Sequence, residues 1–175
     1  TRLVGSEMCI RDRTKGTKNM KLLFKQRFFS WFDSYDIYDE YDNTYFTVEG
    51  KLSWGHRFHI KNKKGEHIGT LKEQVFRFLP HFTMYENDIE IGEIIKEFTF
   101  FKPRFKLSCN DWKILGNFME WNYEIISDSD GIIAKIDKEL FHFTDHYTLN
   151  VTNEENALKV LMIVLAIDAI KCNQK

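Results

Sequence analysis

The sequence predicts a mainly β protein: a closed antiparallel barrel of about twelve strands around a central, apolar C-terminal α-helix. Three observations carry this. A short aromatic phrase recurs at a nearly fixed period. Two sets of turn residues alternate along the chain. One late run is helical in composition and apolar on every side.

The phrase is Trp31-x-Asp33-x-Tyr35-x-Ile37, and it returns as Trp54-x-His56-x-Phe58-x-Ile60. Further copies are Phe78-x-Pro80-x-Phe82-x-Met84 and Phe101-x-Pro103-x-Phe105-x-Leu107. A worn copy is Met119-x-Trp121-x-Tyr123-x-Ile125, and the last is Phe143-x-Asp145-x-Tyr147-x-Leu149. The starts of successive copies are 23, 24, 23, 18 and 24 residues apart, so one supersecondary unit is repeated. Alternate apolar positions make each copy a strand. Its aromatic and aliphatic residues are expected to form the barrel wall.

The elements follow in order. Residues 21–29 form a leading β-type run. Polar Asn/Asp/Gly clusters follow five copies, at 39–43, 62–66, 86–88, 109–111 and 127–131, and supply the first set of turns. After each comes a β-branched or aromatic run: 44–48, 67–76, 89–98, 112–118 and 132–140. The second set of breaks lies inside the phrase, at Asp33, Pro80, Pro103 and Asp145. Proline lacks the N–H that a central strand needs, so this slot reads as a turn or bend. The alternation describes an up-and-down meander.

The pattern then changes. Thr152-Asn-Glu-Glu155 reads as a capping box, with Thr152 as N-cap. A helix over about 154–171 follows. Residues 160–167 are unbroken apolar, and a helix apolar all round must be enclosed. The run is shorter than the roughly 20 residues that span a bilayer. It fits inside a wide barrel instead, and truncation after Asn150 is expected to leave the barrel unfilled.

Residues 1–19 stand apart. Val4-Gly-Ser-Glu-Met-Cys-Ile-Arg-Asp-Arg13 resembles a translated sequencing adapter and has no periodicity. The segment is set aside as a non-native, disordered leader, with 20–175 as one domain. Its five Lys/Arg outnumber its two acids by three, so the domain carries a formal −4 against −1 for the whole chain. That balance gives no case for nucleic-acid binding. Cys9, Cys109 and Cys172 have no disulfide or zinc spacing, which suggests free thiols and a cytoplasmic location. No signal-peptide or transmembrane segment is expected from Met20 onward.

The words themselves resemble a known family. Lys72-Glu-Gln-Val-Phe-Arg-Phe-Leu-Pro-His-Phe82, Glu97-Phe-Thr-Phe-Phe-Lys-Pro-Arg-Phe105 and Leu161-Met-Ile-Val-Leu-Ala-Ile-Asp168 are similar to the bacterial branch of the LURP-one-related family. That family groups with the tubby C-terminal and phospholipid-scramblase domains. The resemblance implies a twelve-stranded barrel around a C-terminal helix, and it covers essentially residues 20–170. Tubby-type domains bind phosphoinositide headgroups, scramblases are linked to lipid movement and calcium, and plant members to defence. None of their lipid, calcium or palmitoylation motifs matches residues here.

One variable slot follows the bend in each copy: Ser34, Arg57, His81, Arg104, Asn122 and His146. If the copies are equivalent, the six line one rim, and Arg57, His81, Arg104 and His146 are the candidate ligand-binding residues. Arginine offers a planar fork to phosphate oxygens. Trp31, Phe32, Trp54 and Phe101 are candidate membrane-interface residues. Polar residues also sit at turns for solvation alone, which is the competing reading.

Other constellations carry less. Lys61-Asn-Lys-Lys64-Gly reads as a solvated hairpin turn. His56 and His59 should point to opposite faces of one strand, and His142 and His146 sit in strand–turn–strand. No metal, cofactor or catalytic residue is assigned. Asp128 and Asp130 lie in a turn that lacks an EF-hand's spacing. Asp168 is the single acid inside the apolar helix and must be paired, hydrogen-bonded or protonated. The expected function is non-enzymatic: a binding module for an anionic phospholipid surface or lipid-like ligand, monomeric, cytoplasmic and peripheral to the membrane. The alternative is a cytoplasmic protein-interaction or scaffold domain.

Overall fold

The computed structural model describes residues 19–24, 34–99, 104–141 and 144–172. Twelve strands follow in order: β1 (Met20–Phe24), β2 (Ser34–Asp39), β3 (Thr44–Ser53), β4 (Gly55–Asn62), β5 (His67–Glu73) and β6 (His81–Glu86). They continue as β7 (Ile89–Glu97), β8 (Arg104–Leu107), β9 (Trp112–Asn117), β10 (Asn122–Ser127), β11 (Gly131–Phe141) and β12 (Thr144–Val151). The chain ends in α1 (Ala157–Cys172).

All strands belong to one antiparallel sheet. Neighbours in sequence are neighbours in space, and β1 pairs with β12 as well as β2. The sheet wraps into a nearly closed barrel, and among the described residues no ladder joins β8 to β9.

The repeat has a structural meaning at residue resolution. The fifth and seventh phrase positions point inward: Phe58 and Ile60 on β4, Phe82 and Met84 on β6, Tyr123 and Ile125 on β10, Tyr147 and Leu149 on β12. Register shifts follow the seventh position in four copies, at Ile37, Ile60, Met84 and Ile125. Such bulges increase local twist and help a sheet to curl. The first position behaves differently from expectation. Trp54 and Phe78 are exposed rather than part of the wall, because they sit in turns before their strands begin.

The turns use residues that tolerate a left-handed backbone. Asn87 and Asp88 both have positive φ in the two-residue β6–β7 hairpin, the geometry that matches strand twist.

The helix fills the barrel. Residues 160–170 are all buried, and Lys159, Lys171 and Cys172 are half-buried. Its start differs from the predicted box. A 3₁₀ turn (Glu154–Asn156) comes first, and Asn153, not Thr152, caps it by accepting from the Glu155 N–H at 3.0 Å. Thr152 Oγ1 instead donates to the carbonyls of Ile132 and Ile133, fastening the strand-to-helix corner to β11. Gly69 on β5 lies against the helix. A Cβ there would collide with Met162 Cε and approach Leu158 Cδ1 to 3.2 Å.

Even-numbered strands begin, and odd-numbered strands end, at one end of the barrel, the front rim. Because β12 runs to the back, α1 returns and brings Asp168 and Lys171 to this rim.

Candidate functional site

The six slot residues lie at the front rim, in β2, β4, β6, β8, β10 and β12. They do not converge. Arg57, His81 and Asn122 each precede a buried, inward-pointing residue (Phe58, Phe82 and Tyr123) and so take the outer face of their strands, as alternation requires. Consecutive slots are two strands apart, about 9.5 Å along the sheet. One small ligand therefore cannot engage Arg57, His81, Arg104 and His146 together.

Their surroundings also differ. His81 is buried, and its Nε2 lies 2.8 Å from Glu93 Oε1 on β7. Arg104 is exposed and faces Glu97 across the β7–β8 pair. His146 stands opposite Glu139 in the β11–β12 register, and its side chain lies outside the described set. Ser34 and Asn122 are exposed strand starts. Trp31, Phe32, Phe101 and His142 also lie outside the described residues.

Arg57 has the richest setting. It lies directly opposite Lys51 on β3 and Lys72 on β5. Like charges directly across strands repel, so the fold bears a cost here. Lys51 pairs with Glu49 at 3.2 Å, but among the described residues no ion pair engages Arg57, Lys72 or Arg77. Arg57 Nε is enclosed and has no hydrogen-bond partner. Arg57, Lys72, Gln74 and Arg77 line a cleft of about 460 Å³ with Trp54 and Phe76. Glu73, the acid of this cleft, is already engaged: it accepts from the His56 N–H at 2.9 Å, and His56 Nε2 lies 3.5 Å away. The cleft is thus cationic with aromatic walls.

The local sequence explains its shape. Gly55 follows Trp54 at φ +90°, a conformation that favours glycine, and an added Cβ would collide with Val75 Cγ1. This brings the β3–β4 turn against the β5–β6 loop. That loop is pinned at its base: Gln74 N–H donates to the His81 carbonyl at 2.8 Å, and Gln74 Nε2 donates to Thr83 Oγ1 at 2.9 Å. Between these anchors the loop projects apolar side chains into solvent. Trp54 is 84 % exposed, Phe76 88 % and Phe78 96 %, and Phe98, at the end of β7, is 66 % exposed. Trp54 and Phe76 rings lie 6.4 Å apart.

Sequence reasoning singled out Arg57 and Trp54 of this cleft region but not Lys72, Phe76, Arg77 or Phe98, and took Phe78 for wall. The signal was the unusual run Val75-Phe-Arg-Phe-Leu-Pro80, in which aromatics flank a cation just before a proline.

Inside the mouth lies a polar group of a different kind. Asp168 is buried, and its Oδ2 has no hydrogen-bond partner. Burial raises its pKa from the ordinary 3.8 to about 8, against a smaller opposing effect of Lys171, so the acid is protonated at neutral pH. The Tyr123 hydroxyl is buried without a partner, and burial, reinforced by Asp168, raises its pKa. Lys171 Nζ sits 4.1 Å over the Trp121 ring, and Trp121 packs on Tyr147 at 4.5 Å.

Elsewhere, His56 and His59 part company: His59 lies tilted against His67, ring centroids 5.0 Å apart, while the His56 N–H donates to Glu73. Burial, then His67, lowers the His59 pKa. Among the described residues no three His, Cys, Asp or Glu side chains gather as a metal site. Asp111 is bound by the Ser127 hydroxyl and the Ser129 N–H, and Asp128 pairs with Lys113. Among the described residues no helix is long and apolar enough to cross a membrane.

A family model described as LURP-one-related matches residues 20–168. The chain is also similar to an uncharacterized protein of Bacillus subtilis (strain 168), YxjI, at 26 % identity over 157 residues, covering 89 % of this chain and 96 % of that protein.

Proposed function

The chain belongs to the LURP-one-related family, and on that premise we propose that it is a non-enzymatic binding module that docks its front rim on an anionic membrane surface. One observation carries this reading. Trp54, Phe76 and Phe78 project into solvent beside Arg57, Lys72 and Arg77, which have no ion-pair partner among the described residues. Aromatic rings of this kind favour the interfacial layer of a bilayer. A contiguous exposed apolar patch rimmed by charge marks an interaction surface.

The magnitudes suit reversible docking. Each Lys or Arg close to an anionic leaflet is worth about 1 kcal/mol. Three cations alone hold weakly, and insertion of two or three rings adds the apolar component. The cationic cleft also offers the Arg57, Lys72 and Arg77 side chains as donors to a phosphate headgroup. Docking would be peripheral, with the helix remaining inside the barrel.

Vesicle flotation tests the reading. The protein should float with vesicles containing phosphatidylglycerol and not with pure phosphatidylcholine. Binding should weaken several-fold between low salt and physiological salt. Substituting Arg57, Lys72 and Arg77 together by Ala should abolish it, whereas Arg104→Ala should have a smaller effect. Flotation that ignores lipid charge, or survives the triple substitution, would sink the proposal.

A further inference from the structure

The docking cleft has a chemistry finer than net charge, and strand register sets it. Arg57 on β4 stands directly opposite Lys72 on β5. Side chains at directly opposed positions leave the sheet about 4.5–5.5 Å apart at Cβ. Their neighbours Phe58 and Leu71, themselves a register pair, are buried inside the barrel. Arg57 and Lys72 therefore leave the outer face as a close pair of like charges. The acid beside them does not relieve the pair. Glu73 takes the inner side of β5, opposite Phe82. Its carboxylate is held there by the His56 N–H at 2.9 Å, and the His56 ring stacks toward buried Phe58 on that same side. Lys51, opposite Arg57 across the other ladder, is matched by Glu49 at 3.2 Å. Among the described residues the unmatched charge thus lies on the Lys72 side of Arg57. There the cleft of about 460 Å³ opens, and the loop after β5 adds Arg77 to it.

We propose that the cleft is a selective site for a phosphate monoester on a lipid headgroup, as in phosphatidic acid, a step that rests on the membrane-docking reading and names its ligand. Charge selects first. A phosphate monoester carries about 1.5–2 negative charges near neutral pH, whereas a phosphodiester carries a single one. An anion seated between Arg57 and Lys72 offsets their mutual repulsion, and does so more fully the greater its charge. Shape selects next. A monoester ends in three free oxygens, which suit the three cations Arg57, Lys72 and Arg77, and each arginine can grip two oxygens with its planar fork. A diester is substituted on both sides of its phosphorus, so a substituent would have to enter the cleft with it. The lip selects a lipid over a soluble ester. Trp54 and Phe76 line the cleft and stand almost wholly in solvent, so the cations lie beside the rings that would enter the bilayer interface.

The test uses the full chain and phosphatidylcholine vesicles that contain either phosphatidic acid or phosphatidylglycerol, matched in zeta potential so that surface charge is equal. The lipid concentration for half-maximal flotation should be about tenfold lower with phosphatidic acid, a preference of about 1.4 kcal/mol. Lys72→Ala should bring that ratio close to one. Lys51→Ala removes a cation of the same outer row, outside the cleft, and should weaken binding to both lipids alike while the ratio is kept. Glycerol 3-phosphate at millimolar concentration should release the protein from phosphatidic acid vesicles further than sodium chloride of equal ionic strength does. Equal binding to the two matched lipids would overturn the monoester assignment and leave membrane docking standing. No flotation with either lipid would end both readings. A ratio that survives Lys72→Ala would put the selectivity outside this cleft and overturn the site. Saturation by micromolar glycerol 3-phosphate would make the ligand a soluble ester and overturn the lipid as its source.

Discussion

At the scale of single residues, Asp168 links stability to pH. The ordinary carboxyl ionises near 3.8, and here the proton is held to about 8. Between those values the folded state binds more protons than the unfolded state. Stability is therefore full below about pH 4 and falls as pH rises toward 8, by at most about 1.4 kcal/mol per unit. Above 8 this contribution is flat. Asp168→Asn should remove the slope, so that its gain over the parent grows by about 1.4 kcal/mol for each pH unit from 5 to 8. Urea unfolding at pH 5, 6.5 and 8 measures this, and parallel slopes in both proteins would refute the account. The neighbouring Tyr123 hydroxyl has no partner to lose. Tyr123→Phe should accordingly be within about 0.5 kcal/mol of neutral in the same assay, unlike the removal of a bonded buried hydroxyl. Asp168 was visible in the sequence as one acid in an apolar helix, but its protonation was not. That depended on which side chains the barrel brought around it.

At the scale of elements, the helix and β5 are fitted to each other at Gly69. A larger side chain must displace Met162 and Leu158. Gly69→Val should destabilise by about 1–3 kcal/mol, and Met162→Ala by about 2–5 kcal/mol. The double substitution should cost clearly less than the two added together, because the new methyls occupy the space that Met162 vacates. Additive costs would mean that the two residues do not compete for space. The elements themselves were legible, because the phrase fixes where inward side chains recur. Their edges were not. Periodicity reports the repeat of a backbone unit, whereas burial depends on where that unit leaves the sheet. Hence Phe82 and Met84 were read correctly as wall, while Phe78, four residues earlier, stands in solvent. The helix start shows the same limit: Thr152 and Asn153 are both good caps, and the corner contact to Ile132 and Ile133 decides between them.

At the scale of the molecule, structure and docking are assigned to different surfaces and separate under mutation. The apolar wall faces the helix, so the two are stable only together. Truncation after Asn150 removes α1 and exposes the inward faces of twelve strands at once. The product should lose cooperative unfolding and bind a hydrophobic dye. Changing Trp54, Phe76 and Phe78 together to Ser touches side chains that are already in water. Surface changes of this kind usually move stability by less than about 0.5 kcal/mol each. The triple variant should keep a cooperative transition near the parent's, stay soluble and lose flotation with anionic vesicles. Circular dichroism melts and flotation on the same preparations decide the matter. A truncated chain that melts cooperatively would mean that the barrel does not need its helix. A triple variant that unfolds would return the rim aromatics to the core and remove the physical basis for docking.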